Sequence, residues 1–138
     1  MPMFYIKREF YEALMRGRKK AEIRVGEQWV KVAEKIKNCQ IKPLAIFKWS
    51  NKIILRKIYK VEIFPSIRRA LANGRWRLLG LRAKTYTEAI AEVSKLYSRG
   101  AKGPSVFFWL SRLKKSEIDD AIKYAKKEIS DEDLFVSV

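Results

Sequence analysis

The densest concentration of chemically usable side chains is the octet Gly17-Arg18-Lys19-Lys20-Ala21-Glu22-Ile23-Arg24. A carboxylate set among cations can hold the cationic heads in fixed directions through charge-assisted hydrogen bonds. It can also join proton transfer, with Lys19 as electrophile or base, Glu22 as acid or base and Arg24 holding an anion. The plainer alternative is a solvated, charged strand edge. The rest of the composition narrows the chemistry. The chain has no histidine and a single cysteine, Cys39, so Ser-His and Cys-His nucleophiles, most structural zinc sites and internal disulfides are excluded. The carboxylates show no metal-ligand spacing, and no metal or cofactor is expected.

A second group of candidates interleaves cations with an indole. Arg75-Trp76-Arg77 follows Asn73-Gly74 in an expected loop, Arg68 and Arg69 precede it, and Arg82 and Lys84 follow. Aromatic faces beside phosphate-binding cations form the layout of a single-strand stacking platform. Trp76 folded over the core is an equal alternative. Lys48-Trp49 and Gln28-Trp29 repeat the theme weakly, with Trp49 and Trp109 expected in the core, and Tyr5, Tyr59 and Tyr97 carry no assignment. The net charge of +16 is uneven: residues 1–112 carry +18 and residues 113–138 carry −2. Such an excess favours a polyanion through counterion release.

These side chains need elements to hold them. At 138 residues and 48% hydrophobic composition, the chain supports one domain with a core and excludes disorder. Phe10, Ala13 and Leu14 predict a helix over about residues 8–16, ended by Gly17. The alternation from Lys19 to Val25 predicts a half-buried strand, with Lys20, Glu22 and Arg24 on the outer face and Lys19 on the other unless the strand start is irregular. Leu44–Trp49 and Ile53–Ile63 read as a hairpin across Ser50-Asn51. A short helix from Pro65 and Ser66 to Leu71, a helix capped by Thr87, and a strand over Val106–Leu110 buried on both faces follow. The order argues against a doubly wound sheet and for an α+β fold, a small mixed β-barrel with flanking helices.

The final segment has another character. Ser116 is expected to cap a helix whose stripe is Ile118, Ile122, Ala125 and Ile129, packed on the barrel, with Asp131, Glu132 and Asp133 beyond it as a shield for basic surface. The expected division is a barrel domain over residues 1–112 and a C-terminal helical extension over 113–138. No apolar run approaches the roughly 18 residues needed to span a bilayer, and no secretory signal opens the chain, so a cytoplasmic, non-membrane protein is expected. The scarcity of Asn and Gln beside 33% charged residues matches proteins of hot environments.

The octet has the form G-x-K-x-x-E-x-R at a helix-to-strand junction, and this resembles the signature of the ASCH domain, a family of PUA-like barrels. The resemblance extends over about residues 3–110. Lys31–Ile36 stands where the family has a Gly-Asp turn before a strand, here Ala33-Glu34. Val61–Phe64 with Ser66–Leu71 resembles its strand and short helix, and Ala89–Tyr97 with Val106–Leu110 its last helix and closing strand. The resemblance implies an RNA-binding module, with bases placed in a cleft whose two walls are the Gly17–Arg24 junction and the Arg68–Lys84 segment. Some members are small amidohydrolases of acylated cytidine, and others are reported to cut RNA. In the amidohydrolases the signature lysine works with a threonine at the place of Glu22 and a glutamate near the place of Arg82. Both partners are absent here, so the reading leans away from catalysis. RNA therefore ranks first as partner, processing of RNA or nucleosides through Lys19 second, and duplex DNA third.

Overall fold

The computed structural model describes residues 2–97, 102–130 and 133–138. The chain opens with β1 (Met3–Tyr5), α1 (Arg8–Met15) and β2 (Ala21–Val25). Between α1 and β2, Gly17 adopts φ +77°, and the Arg18 and Lys19 amides both donate to the Ala13 carbonyl at 2.9 and 3.1 Å. The left-handed glycine thus ends the helix and turns the chain back along it. There follow α2 (Glu27–Lys37), β3 (Leu44–Trp49), β4 (Lys52–Phe64), α3 (Ile67–Leu71), a 3-10 turn (Arg75–Leu78), α4 (Tyr86–Leu96), β5 (Ser105–Ser111), α5 (Lys115–Glu128) and β6 (Phe135–Ser137).

The strands form one mixed sheet in the order β1-β3-β4-β5-β2, with β6 added in parallel to the start of β4. The β3–β4 hairpin is antiparallel, pairing Trp49 with Lys52 and Leu44 with Lys57. The sheet curls strongly into a half-barrel flanked by helices. Tyr59 is the extra residue of a bulge between the Ile58–Leu110 and Lys60–Trp109 pairs, a device that bends and twists a long strand. The curl is visible in the rings: Phe4 of β1 lies 5.2 Å from Phe108 of β5, although two strands separate them in the sheet.

Three apolar clusters follow from the two-residue period. The concave face gathers Phe4, Phe47, Ile54, Val106 and Phe108 beneath Leu14 of α1 and Ala33 of α2. On the outer face, Ala21, Ile23 and Phe107 meet Ala70, Leu71, Ala89 and Val93 of α3 and α4. Further along that face, Leu44, Ile46, Ile53 and Leu55 meet Ala121, Ala125 and Ile129 of α5. The C-terminal helix is therefore part of the sheet's cover.

Several local expectations need correction. The segment around Ala33-Glu34 is no turn but the second turn and beyond of α2, an amphipathic helix that seats Trp29, Val30, Ala33 and Ile36 on the concave core. Thr85, not Thr87, caps α4, its side chain accepting from the Glu88 amide at 3.2 Å. Lys114, not Ser116, stands at the start of α5, where its amide donates to Glu117 at 3.0 Å. Arg75–Leu78 is a 3-10 turn where a loop was expected. Asp131 and Glu132 of the acidic tail lie outside the described residues, and the Asp133 carbonyl accepts from Asn51, next to the β4–β6 pairing. No described helix is long and apolar enough to cross a membrane.

Candidate functional site

The outermost strands of the sheet, β1 and β2, do not pair. Arg24 spans this gap: its Nη2 donates to the Tyr5 carbonyl of β1 at 3.1 Å and to Glu22 Oε2 at 3.2 Å. Its guanidinium lies 5.2 Å from the Phe4 ring centroid and 5.4 Å from that of Trp29, and the two rings stack on each other. Arg24 Nε, a buried atom, has no acceptor among the described residues.

Glu22 stands opposite Phe108 on the concave face and is 6% exposed. Its Oε1 accepts from the Ile23 amide at 3.0 Å and from Lys19 Nζ at 3.2 Å. Burial alone would raise its pKa, but the Lys19 and Arg24 charges and their hydrogen bonds prevail and hold it below the ordinary carboxylate range. Glu22 is therefore an anion at neutral pH. Lys19 is 4% exposed and donates also to the carbonyls of Ala21 at 2.8 Å and Leu79 at 3.1 Å. All three of its N–H donors are thus engaged. Burial lowers its pKa, with Glu22 opposing the shift.

This arrangement differs from the half-buried strand expected from alternation. Glu22 is buried, because the curled sheet wraps its face inward, and Lys19 reaches Glu22 although the two are an odd number of positions apart. The irregular start explains it: Lys19 precedes β2 and forms a single antiparallel bridge with Leu79, outside the strand's alternation. Gly80, φ +71°, lies against it so closely that a Cβ would stand 2.9 Å from Lys19 Cβ and 3.0 Å from Ala13 Cβ.

The three charged groups line a cavity of about 180 Å³ at the β1–β2 opening. Tyr5 and Lys7 stand at its β1 side; Phe10, Leu79, Leu81 and Leu96 supply much of its apolar wall. Tyr97 also lines it and donates its hydroxyl to the Ile23 carbonyl at 2.6 Å. Burial first, then the nearby Glu22 charge, pushes the Tyr97 phenol well above its usual range.

The other predicted residues are distributed differently. Arg18 and Lys20 are exposed. The 68–84 segment does wall the cavity, but through Leu79 and Leu81 and not its arginines. Arg75 folds back: Nε donates to the Ala70 carbonyl at 2.8 Å, Nη2 to that of Arg69 at 2.6 Å, and the guanidinium lies 4.4 Å from the Phe64 ring centroid. It closes the end of α3. Arg68 and Arg69 are exposed on α3. Trp76, Arg77 and Lys84 line a neighbouring depression that shares Leu81 with the cavity at the β1–β2 opening, with Arg77 5.2 Å from the Trp76 centroid. Arg82 is exposed, 4.0 Å from Glu9 of α1. Trp49 and Trp109, expected in the core, are partly exposed, with Lys52 and Lys60 over their rings at 5.1 and 4.7 Å.

Sequence reasoning missed Lys7 and gave Tyr5 and Tyr97 no role, while Trp29, singled out only weakly beside Gln28, lies against the Arg24 guanidinium. Tyr97 meets Ile23 across 74 positions, a contact with no local signal.

No family model matches the chain. No curated protein matches it either. Among solved structures, the crystal structure of hypothetical protein PH0355 is similar, with a TM-score of 0.59 and 20% identity over 81% of this chain and 98% of that one. The solution NMR structure of protein PF0455 from Pyrococcus furiosus is similar with a TM-score of 0.54 and 18% identity, over 83% of this chain and 99% of that one. At these identities the likeness defines the fold, a mixed α+β half-barrel.

Proposed function

We propose that the chain is a cytoplasmic, PUA-like RNA-binding module of the ASCH type, which takes a nucleobase of a single-stranded or distorted RNA in the cavity at the β1–β2 opening. The observation that carries this reading is an ionised carboxylate and a guanidinium, Glu22 and Arg24, adjoining on the wall of a cavity otherwise rich in apolar side chains. A base edge presents donors beside acceptors, and an acceptor next to donors is its complement; apolar walls suit the base's faces. The net charge of +16 supplies the attraction for phosphates. Lys19, with every N–H engaged, acts as the electrostatic anchor of Glu22 in this reading and not as a free amine.

The test is fluorescence anisotropy with single-stranded RNA, double-stranded RNA and duplex DNA at matched salt. Single-stranded RNA should bind tightest. Arg24→Gln should weaken it at least about tenfold, and so should Lys7→Glu, whose exposed position at the cavity mouth leaves the fold untouched. Equal affinity for all three polyanions, with both variants at wild-type strength, would leave only non-specific charge attraction and end the proposal.

A further inference from the structure

The concave face carries a second polar group at its other end. Arg56 of β4 is 5% exposed and sits opposite Ala45, among the inward positions Ile54 and Ile58. Its Nη2 donates to the Leu14 carbonyl at the end of α1 at 3.2 Å, and its Nη1 to the Leu55 carbonyl at 2.9 Å. A guanidinium at the carbonyl pole of a helix is favourable, but among the described residues no carboxylate pairs with it.

What stands beside it is another cation. The β4–β5 register ends with Lys57 opposite Ser111, and Arg112, one residue further on, lines the same cavity as Arg56. Like charges in one cavity repel. Burial first, and then the Arg112 charge, lowers the Arg56 pKa to about 10. Lys20 joins them. Its carbonyl accepts from the Leu110 amide at 3.0 Å, which holds it against the end of β5. Arg56, Arg112, Lys20, Ser111 and Gly17 line one cavity of about 190 Å³ whose lining, among the described residues, holds no carboxylate. Lys19 borders both this cavity and the one at the β1–β2 opening.

We infer that this second cavity is a binding site for a phosphate group, held by Arg56 and Arg112 with Lys20 beside it. The buried guanidinium, already fixed by two backbone carbonyls, gives a preorganised donor face, and the phosphate relieves the repulsion between the two arginines. The inference rests on this geometry and stands whether or not RNA enters the other cavity.

The experiment titrates inorganic phosphate into the protein labelled with ¹⁵N and follows the Gly17, Ser111 and Arg112 amides. Saturable shifts are expected at these three, and the affinity should fall at least about tenfold in Arg112→Ala and in Lys20→Ala, both exposed positions that leave the fold intact. Linear shifts, or equal saturation in both variants, would overturn the site. A competition arm names the source: displacement of phosphate by a 5′-phosphorylated oligonucleotide and not by its unphosphorylated form points to a nucleic-acid terminus, and no displacement by either points to a free phosphate. Lys7→Glu should leave the phosphate titration unchanged, so failure here and failure of the RNA reading are separable.

Discussion

The trio of buried Lys19 and Glu22 with half-buried Arg24 ties stability to pH through Glu22. Its folded pKa lies below the unfolded value, so the stabilisation it contributes is fully present above the ordinary carboxylate range and is lost as pH falls through the folded pKa. Glu22→Gln should remove that acid-side dependence and leave Lys19 buried without a counter-charge, at a cost of about 3 kcal/mol or more at neutral pH. Urea denaturation between neutral and acid pH checks both statements; a variant as stable as the wild type would show that backbone carbonyls alone sustain the buried ammonium. Tyr97 makes a smaller demand. Its hydroxyl caps the Ile23 carbonyl on the unpaired edge of β2, and Tyr97→Phe should cost about 1 kcal/mol by the same measurement.

At the scale of elements, two glycines at similar backbone angles do different things. Gly17 has open space where a Cβ would stand, whereas at Gly80 a Cβ would press on Lys19 and Ala13. Gly17→Ala should cost about 1 kcal/mol for the left-handed backbone alone, and Gly80→Ala should cost more, because the strand-like start at Lys19 must move with it. A comparison of urea midpoints isolates the difference; equal losses would mean that the Lys19 segment yields freely. The same contrast marks what the sequence revealed. Gly17 was legible as a helix end, because the apolar spacing of Phe10, Ala13 and Leu14 stops there. So were the hairpin and the doubly buried β5; of the octet's charges, Lys19, Glu22 and Arg24 line one cavity, whereas Arg18 and Lys20 are exposed. Gly80 was not legible, because the atoms that require it lie in α1 and before β2. Nor was α2, since resemblance to a turn-and-strand pattern outweighed the helical spacing of Trp29, Val30, Ala33 and Ile36. The burial of Glu22 followed from sheet curl, which a two-residue period does not encode.

For the whole molecule, the change of charge near residue 113 reads as a boundary between modules, yet packing crosses it. Ala121, Ala125 and Ile129 cover Leu44, Ile46, Ile53 and Leu55, all at or below 9% exposure, and β6 extends the sheet beside Lys52–Ile54. Removing the helix would bare a continuous apolar face on the β3–β4 hairpin, a surface that drives association between chains. Two variants separate a covering role from an appended one. Ile129→Ala in the full chain should cost about 2 kcal/mol and still give one cooperative transition, since the helix and the half-barrel share a core. Truncation after Arg112 should lose that transition and aggregate. Calorimetry with light scattering reads both: a truncated chain that unfolds cooperatively at the full-length temperature would make the first 112 residues an independent domain and reduce α5 to an attachment.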